Sequence, residues 1–185
     1  MISFAQFKTK ILPFVLKVES GYANVKGDKG GETYRGITRK NHPEWDGWKT
    51  IDKKKPIAQG KVIPELEESV AKYYWDFEFN LPEFDMLNSI NVALILFDWR
   101  IHGGLSPSKV QKMLTQRFKV KNNNSGSFDR DTILLMNKIN EKQLSDALLD
   151  MRREKIASII KKNPSQVKFK KGWTKRLDEL ESITA

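Results

Sequence analysis

The sequence contains no cysteine among its 185 residues. Disulfide bonds, thiolate nucleophiles, iron–sulfur clusters and cysteine-ligated zinc are therefore excluded. Histidine is almost as scarce, because His42 and His102 are the only two, so a histidine-rich metal site is not expected. If the protein is an enzyme, we expect it to work through carboxylates, without a metal or cofactor.

Long apolar runs are also missing, and none approaches the roughly 20 residues that a transmembrane helix needs. Residues 11–16 form a short apolar run near the start, but Pro13 interrupts it and Lys17 ends it. Because no small-residue cleavage site follows, we expect no signal peptide. The helical spacing of apolar residues predicts an amphipathic helix here instead. We expect the protein to remain cytoplasmic until it is released or exported by a non-classical route.

Basic residues outnumber acidic ones, with 33 Lys and Arg against 23 Asp and Glu and a net charge of +10. Residues 1–90 carry a balance of +1 and residues 91–185 a balance of +9. A basic surface of this kind attracts polyanions such as nucleic acid, anionic lipid or a bacterial cell wall. The alternative is a solvated basic surface without a dedicated partner.

Helical periodicity dominates the chain, and strand-like alternation is scarce, so the predicted class is mainly α. Any sheet is expected to be a small hairpin within residues 20–62, a segment rich in turn formers and without helical period. Helices are predicted to begin at Pro64, Ser89 and Ser106, and further helices to follow within residues 129–161. A last short helix is predicted around Trp173, Leu177 and Leu180.

The segment with the clearest chemical signal joins two carboxylates across a glycine-rich turn. Glu19 follows the first helix among apolar neighbours, where loss of hydration favours the neutral acid that can protonate a leaving oxygen. Asp28 comes nine residues later and is a candidate base, since inverting glycosidases separate two carboxyl groups by roughly 6.5–9.5 Å. Thr33, Tyr34 and Thr38 are candidates to orient the water or the sugar. On spacing alone, the favoured interpretation is that Asp28 caps a turn and Glu19 is a surface acid at a helix end.

The same segment resembles the signature of glycoside hydrolase family 108, the N-acetylmuramidases of phage and bacterial lysins. That signature reads roughly E-G-G-Y-x-N, then D-x-G-G-x-T-x-x-G-I-T. The matching residues are Glu19-Ser20-Gly21-Tyr22-Ala23-Asn24 and Asp28-Lys29-Gly30-Gly31-Glu32-Thr33-Tyr34-Arg35-Gly36-Ile37-Thr38. Ser20 departs from the first glycine of the family and leaves the acid intact. Weaker similarities to a peptidoglycan-binding half continue through Val110–Leu114 and Lys171–Arg176.

The resemblance implies a lysozyme-like helical fold that hydrolyses the β-1,4 bond between N-acetylmuramic acid and N-acetylglucosamine. It also implies a catalytic half over residues 1–90 and a basic peptidoglycan-binding half over residues 91–185, packed into one globule. The catalytic acid of the family corresponds to Glu19, with Asp28 as the inferred base and Thr33 assisting. The expected substrate-binding residues are Tyr22, Asn24, Gly30, Gly31, Tyr34, Gly36, Thr38 and His102.

Other polar residues have simpler interpretations. Glu32 is an alternative second catalytic carboxylate, but Asp28 is the preferred candidate. Asp98 lies in an apolar helix, where a structural bond to backbone or to Arg100 is favoured over catalysis. His102 follows the same helix, so bonding to its last carbonyl groups is the ordinary alternative to substrate contact.

Two other functions fit parts of the sequence. A lytic transglycosylase needs one acid and no water-activating base. A non-catalytic wall- or nucleic-acid-binding protein would account for the +9 half, but known nucleic-acid motifs are missing. The resemblance implies bacterial peptidoglycan as the partner, and we expect a monomer without nucleic acid or a membrane span.

Overall fold

A computed structural model of the chain describes residues 1–19, 21–25, 31–123 and 125–185. Within these ranges the protein has eight helices and one small antiparallel sheet, which confirms the predicted mainly-α, lysozyme-like class. The chain divides into two compact units. We call Phe4–Glu78 the N-terminal unit, and Phe79–Ala185 together with Met1–Ser3 the C-terminal unit.

The N-terminal unit begins with the predicted amphipathic helix, α1. It is α-helical over Phe4–Gln6, π-helical over Phe7–Ile11 and α-helical again over Leu12–Leu16. Its apolar residues recur at helical spacing, and one face is buried while the lysines on the other face are exposed. The buried side chains of this face are Phe7, Ile11, Leu12 and Val15.

The sheet of the N-terminal unit consists of three two-residue strands, β1 (Tyr22–Ala23), β2 (Thr33–Tyr34) and β3 (Ile37–Thr38). Tyr22 pairs with Tyr34, and Tyr34 pairs with Ile37, so these three side chains share the buried face. Arg35 and Gly36 join β2 to β3 with φ angles of 49° and 82°. Positive φ at both central residues is typical of the tight turn that matches the twist of a hairpin.

Two more helices complete the N-terminal unit. Helix α2 (Gly47–Lys54) lies in the segment where no helical period was expected, so that part of the sequence prediction was wrong. Its residues are mostly polar, and its buried side chains are only Trp48 and Ile51. Helix α3 begins at Pro64 as predicted, with 3-10 geometry over Pro64–Leu66, α geometry over Glu67–Tyr73 and π geometry over Tyr74–Phe79.

The C-terminal unit is helical. After a 3-10 turn at Phe84–Met86, its helices are α4 (Ile90–Ile101), α5 (Pro107–Phe118), α6 (Arg130–Met136), α7 (Glu141–Lys162) and α8 (Lys170–Thr184), with a 3-10 segment Pro164–Phe169 before α8. Ser89 caps α4 as expected, since its hydroxyl accepts a hydrogen bond from Val92 N. The final helix is longer than the short one that the sequence predicted.

Helix α4 is the centre of this unit. Its residues from Val92 to Trp99 are all buried, because the helix is apolar on every side. It packs against α7 and α8, which also pack against each other. None of the helices in the described ranges combines the length and apolar character needed to cross a lipid bilayer.

Candidate active site

Glu19 lies just beyond the end of α1 and is half-buried. Its backbone N–H donates to the carbonyl of Leu16 at 3.2 Å, which closes a turn at the helix end. Its own carbonyl oxygen accepts a hydrogen bond from Arg35 Nη1 at 3.2 Å, and the same nitrogen lies 3.5 Å from Leu16 O. Arg35 therefore ties the end of the helix to the β2–β3 hairpin.

Arg35 is held in place by a carboxylate on α3. Its Nη2 lies 2.8 Å from Glu67 Oε2, and its Nε lies 3.3 Å from Oε1 of the same group. Tyr34 adds a second anchor, because its hydroxyl donates to Glu67 Oε1 at 2.9 Å and accepts from Ile63 N at 2.8 Å. Burial is the main cause that raises the pKa of Tyr34, to about 12, so the phenol stays a donor at neutral pH.

The hairpin turn brings Gly36 against the carboxylate of Glu19. A Cβ atom placed on Gly36 would lie 3.0 Å from Glu19 Oε2 and 2.5 Å from the hydroxyl of Tyr74. The φ angle of Gly36 is also in the left-handed region, which disfavours other residues. Only glycine therefore leaves room for the acid and the phenol at this turn.

Tyr74 is the third group at this point. It is buried on α3, and its hydroxyl donates to the carbonyl of Arg35 at 2.8 Å. Burial, followed by the negative charge of Glu19, raises its pKa well above the ordinary value for tyrosine. The phenol therefore remains neutral and fixes the turn on which the Glu19 carboxylate rests.

Glu32 has a different environment from Glu19. It accepts a hydrogen bond from Tyr22 Oη at 2.8 Å, and it pairs with Arg39 at 2.7 Å and Lys55 at 2.8 Å. Burial alone would raise its pKa, but the hydrogen bonds from Lys55, Arg39 and Tyr22 lower it overall. Glu32 is thus an ionised carboxylate whose oxygens are occupied by three donors, which is typical of a structural role.

Thr33 and Thr38 face each other across β2 and β3 and share the sheet face opposite Tyr34. The hydroxyl of Thr33 donates to the carbonyl of Gly31 at 3.3 Å. The hydroxyl of Thr38 is buried and has no hydrogen-bond partner within the described residues. The structure thus places two candidate water- or sugar-orienting hydroxyl groups side by side.

The other predicted site residues fall into three groups. Asp28 and Gly30 lie outside the described residues, so their positions stay predictions. Asn24 is exposed and Gly31 adopts a φ of 66°, both on the segments that flank the sheet. Tyr22 is 6% exposed and Tyr34 is 0% exposed.

Tyr34 belongs to the core of the N-terminal unit. Its ring is enclosed in the core, and its hydroxyl is bonded to Ile63 and Glu67. Tyr34 therefore supports the hairpin from the core, and its contact with substrate remains a prediction. Tyr22 retains a little exposed surface, and its substrate contact remains a prediction.

His102 belongs to the C-terminal unit and follows the end of α4. Its Nδ1 lies 2.9 Å from the carbonyl oxygen of Asp98, the helix-end bond that was the alternative to substrate contact. Its role in substrate binding is still a prediction. Asp98 itself is fully buried and pairs with Arg152 and Arg176, so its partners include arginines far along the chain and not only nearby backbone or Arg100.

Three positioning residues were missed by the sequence analysis, namely Arg35, Glu67 and Tyr74. Glu67 and Tyr74 lie on a helix more than thirty residues after Arg35, and no local pattern connects the two segments. The turn itself gave little local signal, since Arg-Gly is not one of the usual two-residue hairpin sequences such as Asn-Gly or Asp-Gly. Within the described ranges, no cluster of three or more His, Asp or Glu side chains is arranged to hold a metal ion.

Aromatic residues near the sheet pack mainly as core. Trp48 is 2% exposed and its indole N–H donates to His42 O at 2.7 Å. Tyr74 is buried, and Trp75 packs against Phe4 and Phe7 with ring centroids 5.6 and 5.4 Å apart. Trp48 is therefore a core residue.

Comparison with known proteins agrees with this geometry. The family model described as glycosyl hydrolase 108 matches residues 12–104, about half of the chain. The chain belongs to this family and is a glycosidase. The match covers the last segment of α1 (Leu12–Leu16), the hairpin and α3, and so includes every residue that contacts Glu19 in the preceding paragraphs.

A solved structure, that of SagA from Brucella abortus, is similar over nearly the whole chain. The two share 25% sequence identity with a TM-score of 0.60, and the alignment covers 98% of this chain and 92% of SagA. No curated protein sequence matches the chain significantly. Family and fold together support a peptidoglycan hydrolase.

Proposed function

We propose that the protein is an N-acetylmuramidase that cleaves the β-1,4 bond between N-acetylmuramic acid and N-acetylglucosamine in bacterial peptidoglycan. Family membership supplies the reaction class, hydrolysis of a glycosidic bond. The resemblance of residues 19–38 to the muramidase signature supports the substrate. We place the site of action at the bacterial cell wall.

The observation that carries the proposal is the setting of Glu19. Its carboxyl group rests on the Gly36 turn beside the buried hydroxyl of Tyr74, and Arg35 holds its backbone. In the proposed reaction, protonated Glu19 gives its proton to the glycosidic oxygen as the bond from that oxygen to the anomeric carbon breaks. The electron pair of the bond leaves with the oxygen, and water then adds to the oxocarbenium-like centre.

The second catalytic group in the proposal is Asp28, with Thr33 assisting it in activating the water. Glu32 suits this role less well, because Tyr22, Arg39 and Lys55 already occupy its oxygens. A carboxylate with a lowered pKa and three donors is a weak base. The buried hydroxyl of Thr38, which has no hydrogen-bond partner among the described residues, is a further candidate acceptor and donor beside Thr33.

The basic residues of the C-terminal half would hold the protein on the anionic wall. Electrostatic attachment of this kind weakens as salt screens the charges, with a Debye length of about 8 Å at physiological ionic strength. Wall binding should therefore fall as salt is raised. Our proposal treats the protein as a monomer.

Substitution of Glu19 tests the assignment. We expect Glu19→Gln to fold normally and to lower the rate of peptidoglycan solubilisation by on the order of 10²- to 10⁴-fold, because the amide cannot supply the proton. Asp76→Asn, which changes an exposed acid of the same unit, is the matched control and should retain activity. Undiminished lysis by Glu19→Gln would remove Glu19 from the mechanism.

Analysis of the products separates hydrolysis from its closest alternative. A hydrolase releases muropeptides with reducing ends, whereas a lytic transglycosylase releases anhydro-muramyl ends. Mass spectrometry of muropeptides released by the unmodified protein should show reducing ends. Anhydro-muramyl products would contradict hydrolysis and would indicate a lytic transglycosylase instead.

A further inference from the structure

A cavity of about 290 Å³ opens within the C-terminal unit, between the end of α4 and helices α7 and α8. Two indole rings, those of Trp99 and Trp173, form part of its lining. Arg152, Lys155 and Arg176 supply positive charge, and no Asp or Glu in the described residues lines it. The cavity is therefore both aromatic and basic.

The buried carboxylate of Asp98 forms ion pairs with two of these cations, Arg152 and Arg176. Its carboxylate is 0% exposed, with Arg176 Nε 2.9 Å from Oδ1 and Arg152 Nη2 2.8 Å from Oδ2. One negative charge is thus shared by two guanidinium groups. Since Lys155 also lines the cavity, its wall retains an excess of positive charge.

The guanidinium of Arg152 is not fully satisfied by the protein. Its side chain is 8% exposed, and its Nη1 is buried with no hydrogen-bond partner in the part of the chain that is described. The guanidinium lies 5.8 Å from the centroid of the Trp99 ring, so the two groups form a cation–π interaction. A buried donor without an acceptor is unfavourable, and a ligand oxygen reaching it after a small rotation would satisfy it.

The aromatic lining continues beyond the cavity. The ring of Trp173 packs on that of Phe169 with centroids 5.7 Å apart, and Phe169 is 46% exposed. Flat apolar faces beside charged donors suit a ligand that combines a carboxylate with a sugar ring or a small side chain. A bare inorganic anion would leave the indole faces unused.

We propose that this cavity binds a carboxylate of peptidoglycan, with Arg152, Lys155 and Arg176 receiving the charge and Trp99 and Trp173 packing on the attached group. The inference rests on the proposed function, because that function supplies the polymer. Two carboxylates of peptidoglycan share this chemistry, the lactyl group of N-acetylmuramic acid and the terminal carboxylate of a stem peptide. Occupancy of the cavity would help to hold the wall polymer on the protein.

Calorimetric titration of the full chain carrying Glu19→Gln tests the proposal without turnover. The probes are N-acetylmuramic acid, N-acetylglucosamine, which lacks the lactyl carboxylate, and a stem tetrapeptide. At least one carboxylate probe should bind tenfold or more tightly than N-acetylglucosamine. Which of the two does so identifies the source of the carboxylate.

Two further variants, made in the same background, locate the binding. Lys155→Gln removes one positive charge from the cavity and should lower the affinity for the carboxylate probe fivefold or more. Trp173→Ala should lower the same affinity. Lys161→Gln removes an exposed charge from the same helix, α7, and should leave binding unchanged.

Equal binding of the charged and neutral sugars, together with no binding of the peptide, would overturn the proposal. Equal effects of Lys155→Gln and Lys161→Gln would also overturn it. Failure of the proposed function would give a different result. The unmodified protein would then release no muropeptides, even if the cavity variants changed probe binding as described.

Discussion

Replacing Gly36 by alanine should inactivate the enzyme while leaving it folded. The new methyl group would lie 2.5 Å from Tyr74 Oη and 3.0 Å from Glu19 Oε2. Both distances are too short for a carbon atom beside oxygen, so the phenol and the carboxyl group must move. Because Tyr74 also bonds to Arg35 O, its displacement loosens the turn that positions the acid.

The size of each effect follows from the geometry. An alanine in the left-handed region costs about 1–2 kcal/mol of folding stability, and loss of the Tyr74 hydrogen bond adds about 1 kcal/mol. A domain with stability of about 5–15 kcal/mol would remain folded. A shift of the acid by about 1 Å can lower the rate on the order of 100-fold.

Gly60→Ala is the matched control. Gly60 belongs to the same unit and has a φ of 76°, close to the 82° of Gly36, but a Cβ there would meet nothing within 4 Å. In urea denaturation Gly60→Ala should lose about 1–2 kcal/mol of stability and Gly36→Ala about 1 kcal/mol more. Only Gly36→Ala should lose peptidoglycan-solubilising activity. Equal activity of the two folded variants would refute the argument that Gly36 makes room for Glu19.

Two stability predictions follow from other buried or capping carboxylates. Asp98→Asn leaves two guanidinium groups without their shared counter-charge and should lower the free energy of unfolding in urea by about 3–5 kcal/mol, whereas Asp146→Asn in an exposed pair should change it by less than about 1 kcal/mol. Asp129 accepts from Thr132 N at the start of α6, so Asp129→Ala should cost about 1 kcal/mol at pH 7. Hydrogen bonds from Ser125 and the helix start lower the pKa of Asp129 below its ordinary value of 3.8. Its contribution is therefore complete above pH 3.8 and lost as pH falls through the lower folded-state pKa, so the gap between Asp129→Ala and the unmodified protein should narrow in acid. A gap that widened in acid would contradict this assignment.

The helices could be predicted from the sequence where local signals and burial agree. Ser89 before a fully apolar run, and proline at position 64, each mark a helix start through local chemistry. Helix α2 was missed because its polar residues give only two buried side chains in eight positions. Its place in the unit depends on packing by Trp48 and Ile51, which a local pattern does not reveal.

The candidate site was predictable only in part. Glu19 and the hairpin residues stand close together in the sequence, so their motif identifies the family. Glu67 and Tyr74 act on Arg35 from a distant helix, and their roles depend on tertiary structure. The structural role of Tyr34 likewise depends on tertiary structure, because its hydroxyl bonds to Ile63 and Glu67.

The most direct test of Glu19 as proton donor compares two leaving groups. Glu19→Gln and the unmodified enzyme would be assayed on the natural glycan and on a glycoside of the same sugar with a dinitrophenyl leaving group, which departs without protonation. Our account predicts a loss of about 10²-fold or more on the natural glycan and a much smaller loss on the dinitrophenyl glycoside. An equal loss on both substrates would contradict it.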